Sequence, residues 1–328
     1  MTTKRKLVAV LLAAMAIVLP AHVVLAQGAY PERPVRFLVG YAPGGPVDII
    51  GRILGDKLAE RWGQPVVVEN ITGAAGNIAG DRVAKAAPDG YTLLVATNPL
   101  LSVNPSLYSK MPFDPLKDLA PITLAVYSPN LFVVPNDVPA KSVQELVAYA
   151  RANPGKLSYG SSGAGTTQHL AGELLKATAK VDIQHVPYRG ASAVITDLLG
   201  GRLTMFIGSI APLLPLVREG KLRALAVTSA KRFEAVPDLP TMVELGYPGF
   251  VSTLAIGLMA PAGTPPAIIA KIHEDAVKVL SMPDVQKRLK DIGMEVIASS
   301  PAEFTATIAA ETPVWAKVIK DADIKASN

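Results

Sequence analysis

The chain has 328 residues, a formal net charge of +5, half of its residues hydrophobic, only 5% aromatics and no cysteine. That composition excludes a disulfide framework and a thiolate metal site, and without a basic run interleaved with aromatics it gives no ground for a nucleic-acid partner. A chain of this length divides most naturally into two domains.

Residues 1–26 read as a secretory signal. Lys4, Arg5 and Lys6 form a basic start, 7–19 an apolar core, and Val24-Leu25-Ala26 a cleavage site ending in a small residue. The apolar core is short for a membrane span and Pro20 interrupts it. Removing this segment takes three basic residues and no acidic one, so the exported chain keeps a charge of about +2. The segment predicts export.

Beyond the leader, apolar runs at 35–39, 66–69 and 92–96 alternate with helical patterns at 48–62 and 77–86. This rhythm predicts βαβ units in an α/β protein with a largely parallel sheet. The first helix is well marked: Gly45 caps it, Pro46 suits its first position and Gly63 follows its last turn. Its apolar face carries Ile50, Ile53, Leu54 and Leu58, while Arg52, Asp56 and Glu60 read as a solvated face. A second series follows: strands at 131–134, 157–159, 183–186, 203–207 and 222–227, with helices at 142–153, 165–178 and 191–199. The run 254–259 then leads through Pro261 to Pro266 into three more helical stretches. If the chain leaves one lobe near 126–131 and returns near 250–255, the first lobe is discontinuous. The expected division is 27–127 plus 253–328 for lobe 1 and 128–252 for lobe 2.

Three strand-to-helix loops are rich in small residues: Tyr41 to Asp48 (YAPGGPVD), residues 159–170 (YGSSGAGTTQHL) and 186–193 (VPYRGASA). In open α/β sheets ligands bind beyond the carboxyl ends of strands, where helix N-termini present unpaired N–H groups and partial positive charge. Such loops suit a small anion without any lysine. Asp48 is either a brace for its own loop or a selector of donor groups on the ligand, and Arg189 is either a partner for a distal carboxylate or a structural arginine.

Enzyme motifs fail at required residues. Gly160-Ser161-Ser162-Gly163-Ala164 lacks the last glycine of a nucleophile elbow, His273-Glu274 lacks the second histidine of a zincin, and Gly155-Lys156-Leu157 lacks the hydroxyl residue of a P-loop. His169 and His185 read as satisfied structural histidines in preference to catalytic bases. No cofactor and no metal are expected.

The motifs YPERPVRFLVGYAPGGPVD at 30–48, GQPVVVEN at 63–70, GAAGNIAG at 73–80, AKAAPDGYTLL at 84–94 and NPSLY at 104–108 occur in this order. LSYGSSGAGTTQHLAGELL at 157–175, HVPYRGASAVITDLLGGRL at 185–203 and MAPAGTP at 259–265 continue the series. Together they resemble the Bug (Bordetella uptake gene) type of periplasmic receptor of tripartite tricarboxylate transporters. The resemblance implies a type II periplasmic binding protein, two α/β lobes joined by a two-segment hinge, that captures an organic acid, mono- or dicarboxylic and aromatic ones included. It also implies delivery to integral membrane permease subunits, with the receptor itself monomeric and not an enzyme. By position it points to Tyr41, Gly44, Gly45 and Asp48, then Ser161, Ser162, Gly165, Thr166 and His169, with Tyr188, Arg189 and Gly190 from the far lobe. Thr97 and Asn98 match another cleft loop. The family often has phenylalanine where Tyr41 stands, so a hydroxyl is added there. The competing readings are an exported serine hydrolase using Ser161 or Ser162 with His169, and a ligand-sensing input to a membrane kinase.

Overall fold

Strand β1 (Val35–Val39) lies between β2 (Val66–Asn70) and β3 (Thr92–Thr97), parallel to both. The computed structural model that shows this describes residues 30–163, 165–188 and 190–325. The expected signal at 1–26 and Arg189 lie outside the described residues. From Arg33 onward the chain is one compact unit.

Helix α1 (Pro46–Trp62) starts from an extended Gly45 and stops at Gly63, whose φ of 65° lets its N–H reach back to Ala59. Gly51 and Gly55 face the sheet: a Cβ on either would stand 3.2 or 3.3 Å from the valines of β1 and β2. Their missing side chains bring the helix axis close to the strands, which aims the N-terminus of α1 at the end of β1. A 3-10 turn (Ala74–Gly76) and α2 (Asn77–Ala84) connect β2 to β3. After β3 comes a π-helical turn (Pro99–Val103) that runs into the short α3 (Asn104–Leu107).

The sheet is mixed, where alternation alone predicts a largely parallel one. Strand β4 (Leu119–Pro135) is 17 residues long. It pairs antiparallel with β9 (Thr253–Pro261) up to Pro129, and β9 in turn pairs antiparallel with β3. From Asn130 onward β4 changes partners, pairing with β7 (Phe206–Ser209) and β8 (Leu222–Val227). A two-residue strand, β10 (Glu295–Val296), closes one edge against β4. Strands that lead out and back in adjacent positions have opposite directions, which is why β4 and β9 break the parallel order.

The second region adds α4 (Val143–Ala152), β5 (Leu157–Ser161), α5 (Thr167–Ala179), β6 (Ile183–Pro187), α6 (Ala191–Leu199) and α7 (Ile210–Arg218). β5 and β6 pair in parallel, with Tyr159 opposite His185 and Ser161 opposite Pro187. The far end of β4 is buried on both faces: Phe132 and Val134 enter the core under α4 and α5, whereas Leu131 and Val133 enter the one under α6 and α7. A separate cluster, with Leu38, Leu94, Met259 and Phe304 among its members, fills the first region. Helices α8 (Pro266–Leu280), α9 (Pro283–Asp291) and α10 (Pro301–Asp321) complete the chain. α10 starts from a Ser300/Glu303 capping box, packs Phe304 and Ile308 in the first cluster, and sends Trp315, Val318 and Ile319 into the core of the second region.

Candidate functional site

The first small-residue loop is held by its own acid. Asp48 is 2% exposed, and its Oδ2 accepts the Gly44 N–H at 2.8 Å and Arg52 Nε at 3.0 Å. Its Oδ1 accepts Asn70 Nδ2 at 2.9 Å, and that same amide donates to the Tyr41 carbonyl at 3.0 Å. The Arg52 guanidinium, outweighing burial and helped by Gly44 and Asn70, holds the Asp48 carboxyl down at about 2. Asp48 thus braces the loop. Arg52, read from sequence as solvated, is the counter-ion; the Asp-to-Arg spacing of four within one helix is the signal that could have revealed it. Gly45 is the N-cap of α1, its N–H turned toward the Ala42 carbonyl at 3.4 Å. The first-turn amides that follow have no intrahelical acceptor by helix geometry.

Tyr41 places a hydroxyl in this loop cluster. It meets Thr97 Oγ1 at 2.8 Å and the Ala75 carbonyl at 3.3 Å. Burial pushes the phenol up to about 12, so it stays neutral. Asn104 Nδ2 holds the same Ala75 carbonyl at 3.2 Å and Asn77 Oδ1 at 2.7 Å, which ties α3 to this loop cluster.

Asn98 does something different. Its Oδ1 accepts the Ala255 N–H at 3.0 Å and its Nδ2 donates to the Thr253 carbonyl at 3.0 Å, so the side chain continues the β3–β9 ladder after the backbone has turned into the π-helix. Nδ2 and Ser102 Oγ also lie 3.3 Å from Glu311 Oε2 on α10. Burial pushes the Glu311 carboxyl up, against the bonds from Asn98, Ser102 and Trp315. Sequence reading does not single out Glu311, since nothing local in α10 marks it.

The second loop, at the end of β5, repeats the device of the first with different chemistry. Gly165 N–H donates to His169 Nδ1 at 3.1 Å. Thr166 caps α5, accepting the His169 N–H at 3.4 Å and donating to the Gly163 carbonyl at 2.8 Å. Ser161 is fully buried; its Oγ accepts the Gly163 N–H at 3.2 Å and lies 2.7 Å from His185 Nε2. Ser161 therefore meets His185, not the His169 that the competing hydrolase reading pairs it with. Ser162 is half-buried beside it, and Gln168 in the first turn of α5 has its Oε1 buried with no partner. Burial, reinforced by the neighbouring His185, lowers His169 to about 4. The two imidazoles stack at 3.9 Å and 9°. His185, like His169, is a satisfied structural histidine; its partners follow from the β5/β6 register, which sequence does not reveal.

From the far side, the Tyr188 N–H bonds the Ser161 carbonyl at 2.9 Å while its hydroxyl donates to Asp197 at 2.8 Å. Gly190, with φ of 102°, is the N-cap of α6 and has open space around its Cβ position. The structure thus gathers Tyr41, Gly44, Gly45, Asp48 and Thr97 in one cluster and Ser161, Gly165, Thr166, His169 and Tyr188 in another. The two approach each other at Gly165, where a Cβ would stand 2.3 Å from Leu107 of α3. Among the described residues no His, Cys, Asp and Glu group is arranged to hold a metal.

The family model described as "Tripartite tricarboxylate transporter family receptor" matches residues 50–324. Protein BugT of Bordetella pertussis is 35% identical over 297 residues, covering 90% of this chain and 91% of BugT. Rpa4515 of R. palustris, solved with adipate, superposes with a TM-score of 0.78 at 36% identity, covering 90% of this chain and 99% of its own. MatC from Rhodopseudomonas palustris, solved with bound malate, gives 0.75 at 33% identity, covering 88% and 100%. With a mixed two-lobe α/β fold, motifs spread from 30 to 265 and a family model that matches most of its length, the chain belongs to the tripartite tricarboxylate transporter receptor family, of the Bug type.

Proposed function

We propose that the protein is a periplasmic receptor that captures a small organic carboxylate between two lobes and hands it to the membrane permease of a tripartite tricarboxylate transporter. The observation that carries this reading is the pair of braced glycine loops at the N-termini of α1 and α5. Each loop is fixed before any ligand arrives, so helix amides and hydroxyls can meet an anion with little ordering cost. Residues 27–127 with 253–328 form the first lobe and 128–252 the second, with the end of α10 serving both cores. The hinge is the partner change of β4 at 129–130 together with the entry to β9. Closure follows from the ligand's higher affinity for the closed arrangement. Adipate and malate, bound by the relatives above, define the first compounds to test. Tyr41, Gly45, Thr97, Ser162, Thr166, Tyr188, Arg189 and Gly190 are the proposed contacts; Gly44, Asp48, Ser161, Gly165, His169 and Asn98 act by shaping the cleft.

The test is native mass spectrometry of the purified protein followed by thermal shifts against mono- and dicarboxylates. At one hundred times Kd a true ligand adds about 2.7 kcal/mol, a shift of several degrees. No shift with any organic acid would refute the reading. The contact of Ser161 with His185 favours a hydrolase as the second reading, and labelling by a serine-directed phosphonate would support it. Full burial of Ser161, with its hydroxyl tied to Gly163 as well, argues that no label is taken up.

A further inference from the structure

We propose that His185 is a positioning residue for the second loop: its Nε2 fixes the Ser161 hydroxyl at one end of the loop and its ring face fixes His169 at the other. This rests on the receptor reading for its purpose, though not for its evidence. The two loops share one device. Gly44 precedes the N-cap of α1 and donates its N–H to the side chain of the third helical residue, Asp48; Gly165 precedes the N-cap of α5 and donates to the side chain of the third helical residue, His169. The acceptor is a carboxylate in one loop and an imidazole in the other.

A carboxylate accepts in any orientation, but an imidazole accepts only at a ring nitrogen that lacks a proton. Something must therefore hold His169 with bare Nδ1 turned to Gly165. His185 supplies that constraint, lying parallel to His169 at 3.9 Å and itself stacked with Tyr159 at 5.0 Å. Tyr159 is in turn fixed by its hydroxyl, which bonds Glu173 at 2.7 Å. The titratable groups around His169 are His185 on β6, Glu173 and Lys176 on α5, and Tyr159 on β5. Burial lowers both imidazoles, so the stack is neutral at physiological pH. A neutral acceptor also spares this loop the negative charge that Asp48 places in the first. An anion is then opposed on one side only, where Arg52 compensates.

Two variants separate the two functions of the ring. His185→Phe keeps a face for His169 and loses the bond to Ser161; His185→Gln keeps a polar group for Ser161 and loses the face. Amide hydrogen exchange and imidazole nitrogen shifts are read by NMR on the purified full chain without ligand. For His185→Phe, Gly163 exchange rises about fivefold, the loss of one hydrogen bond, while Gly165 is unchanged. For His185→Gln, Gly165 exchange rises and the His169 titration midpoint moves up toward the ordinary histidine value. A purely structural role would instead raise exchange at Gly163, Gly165 and the β5 core amides together in both variants, and that result, or no change in either, overturns the proposal. Should neither variant fold, the wild-type spectrum still decides: a proton on His169 Nδ1 near neutral pH overturns it, a bare Nδ1 supports it. Failure of the carboxylate panel with these results in hand would overturn the receptor reading alone.

Discussion

Replacing Asp48 by asparagine tests the brace of the first loop directly. The carboxylate serves three donors: Gly44 and Arg52 at Oδ2 and Asn70 at Oδ1. Asparagine has one acceptor oxygen and one NH2 group with two donors, so an orientation that satisfies Gly44 and Arg52 sets its NH2 against that of Asn70. The lowering of the carboxyl from 3.8 to about 2 corresponds to about 2.4 kcal/mol at neutral pH. Arg52 is half exposed, so salt screens part of this, and about 1 to 2 kcal/mol is expected in practice. Because the folded value lies below the unfolded one, this stability is present above pH 4 and is lost as pH falls toward 2. Urea denaturation of wild type and Asp48→Asn should therefore show a gap at pH 7 that falls to about half by pH 3. A gap that is the same at both pH values, or absent at pH 7, would refute the argument.

Other perturbations follow from the same geometry. Gly165→Ala combines a φ of 75° with a Cβ 2.3 Å from Leu107, and thermal unfolding should show a loss of about 2 kcal/mol, of which Leu107→Ala in the same chain recovers only the steric part. Asp275 is 1% exposed and accepts from Arg61, Trp62 and Lys271, whose combined pull outweighs burial and keeps its carboxyl low. Asp275→Ala should cost about 3 kcal/mol in denaturant titration, because the buried carboxylate's bonds to Arg61 and Trp62 of α1 and Lys271 of α8 are lost at once. Glu311 has the opposite sign: its folded value is raised, so it costs stability as pH rises above its unfolded value. Wild type should lose stability relative to Glu311→Gln between mildly acidic and neutral pH, and parallel pH profiles for the two would contradict the burial argument.

Local signals made the regular parts of this fold legible. Gly45, Pro46 and Gly63 bracket α1, and 191–199 is a helix over the residues its periodicity marks. The first half of β4 was lost because Pro121 and Pro129 interrupt its apolar run, although both residues sit in the ladder opposite β9. α7 was lost for a similar reason, since Pro212 and Pro215 punctuate a segment that is nonetheless helical. In the site, the loops and their capping residues could be read from spacing. The partners could not: Asn70 comes to Asp48 through the β1/β2 register, and His185 comes to Ser161 and His169 through the β5/β6 pairing. Contacts set by strand register depend on the whole sheet, and no local pattern encodes them.

The long strand β4 has a consequence for how the molecule comes apart. One continuous ladder supplies a central strand to the sheet of each lobe, first beside β9 and then beside β7 and β8. Neither lobe can lose its strand order without disturbing the other's core, since Leu124, Phe132 and Val133 lie in three different clusters along that single segment. Domains strung as separate beads can unfold in separate steps, whereas this connectivity predicts one cooperative transition for both lobes. A calorimetric trace should then contain one transition, and a bound ligand should move it whole.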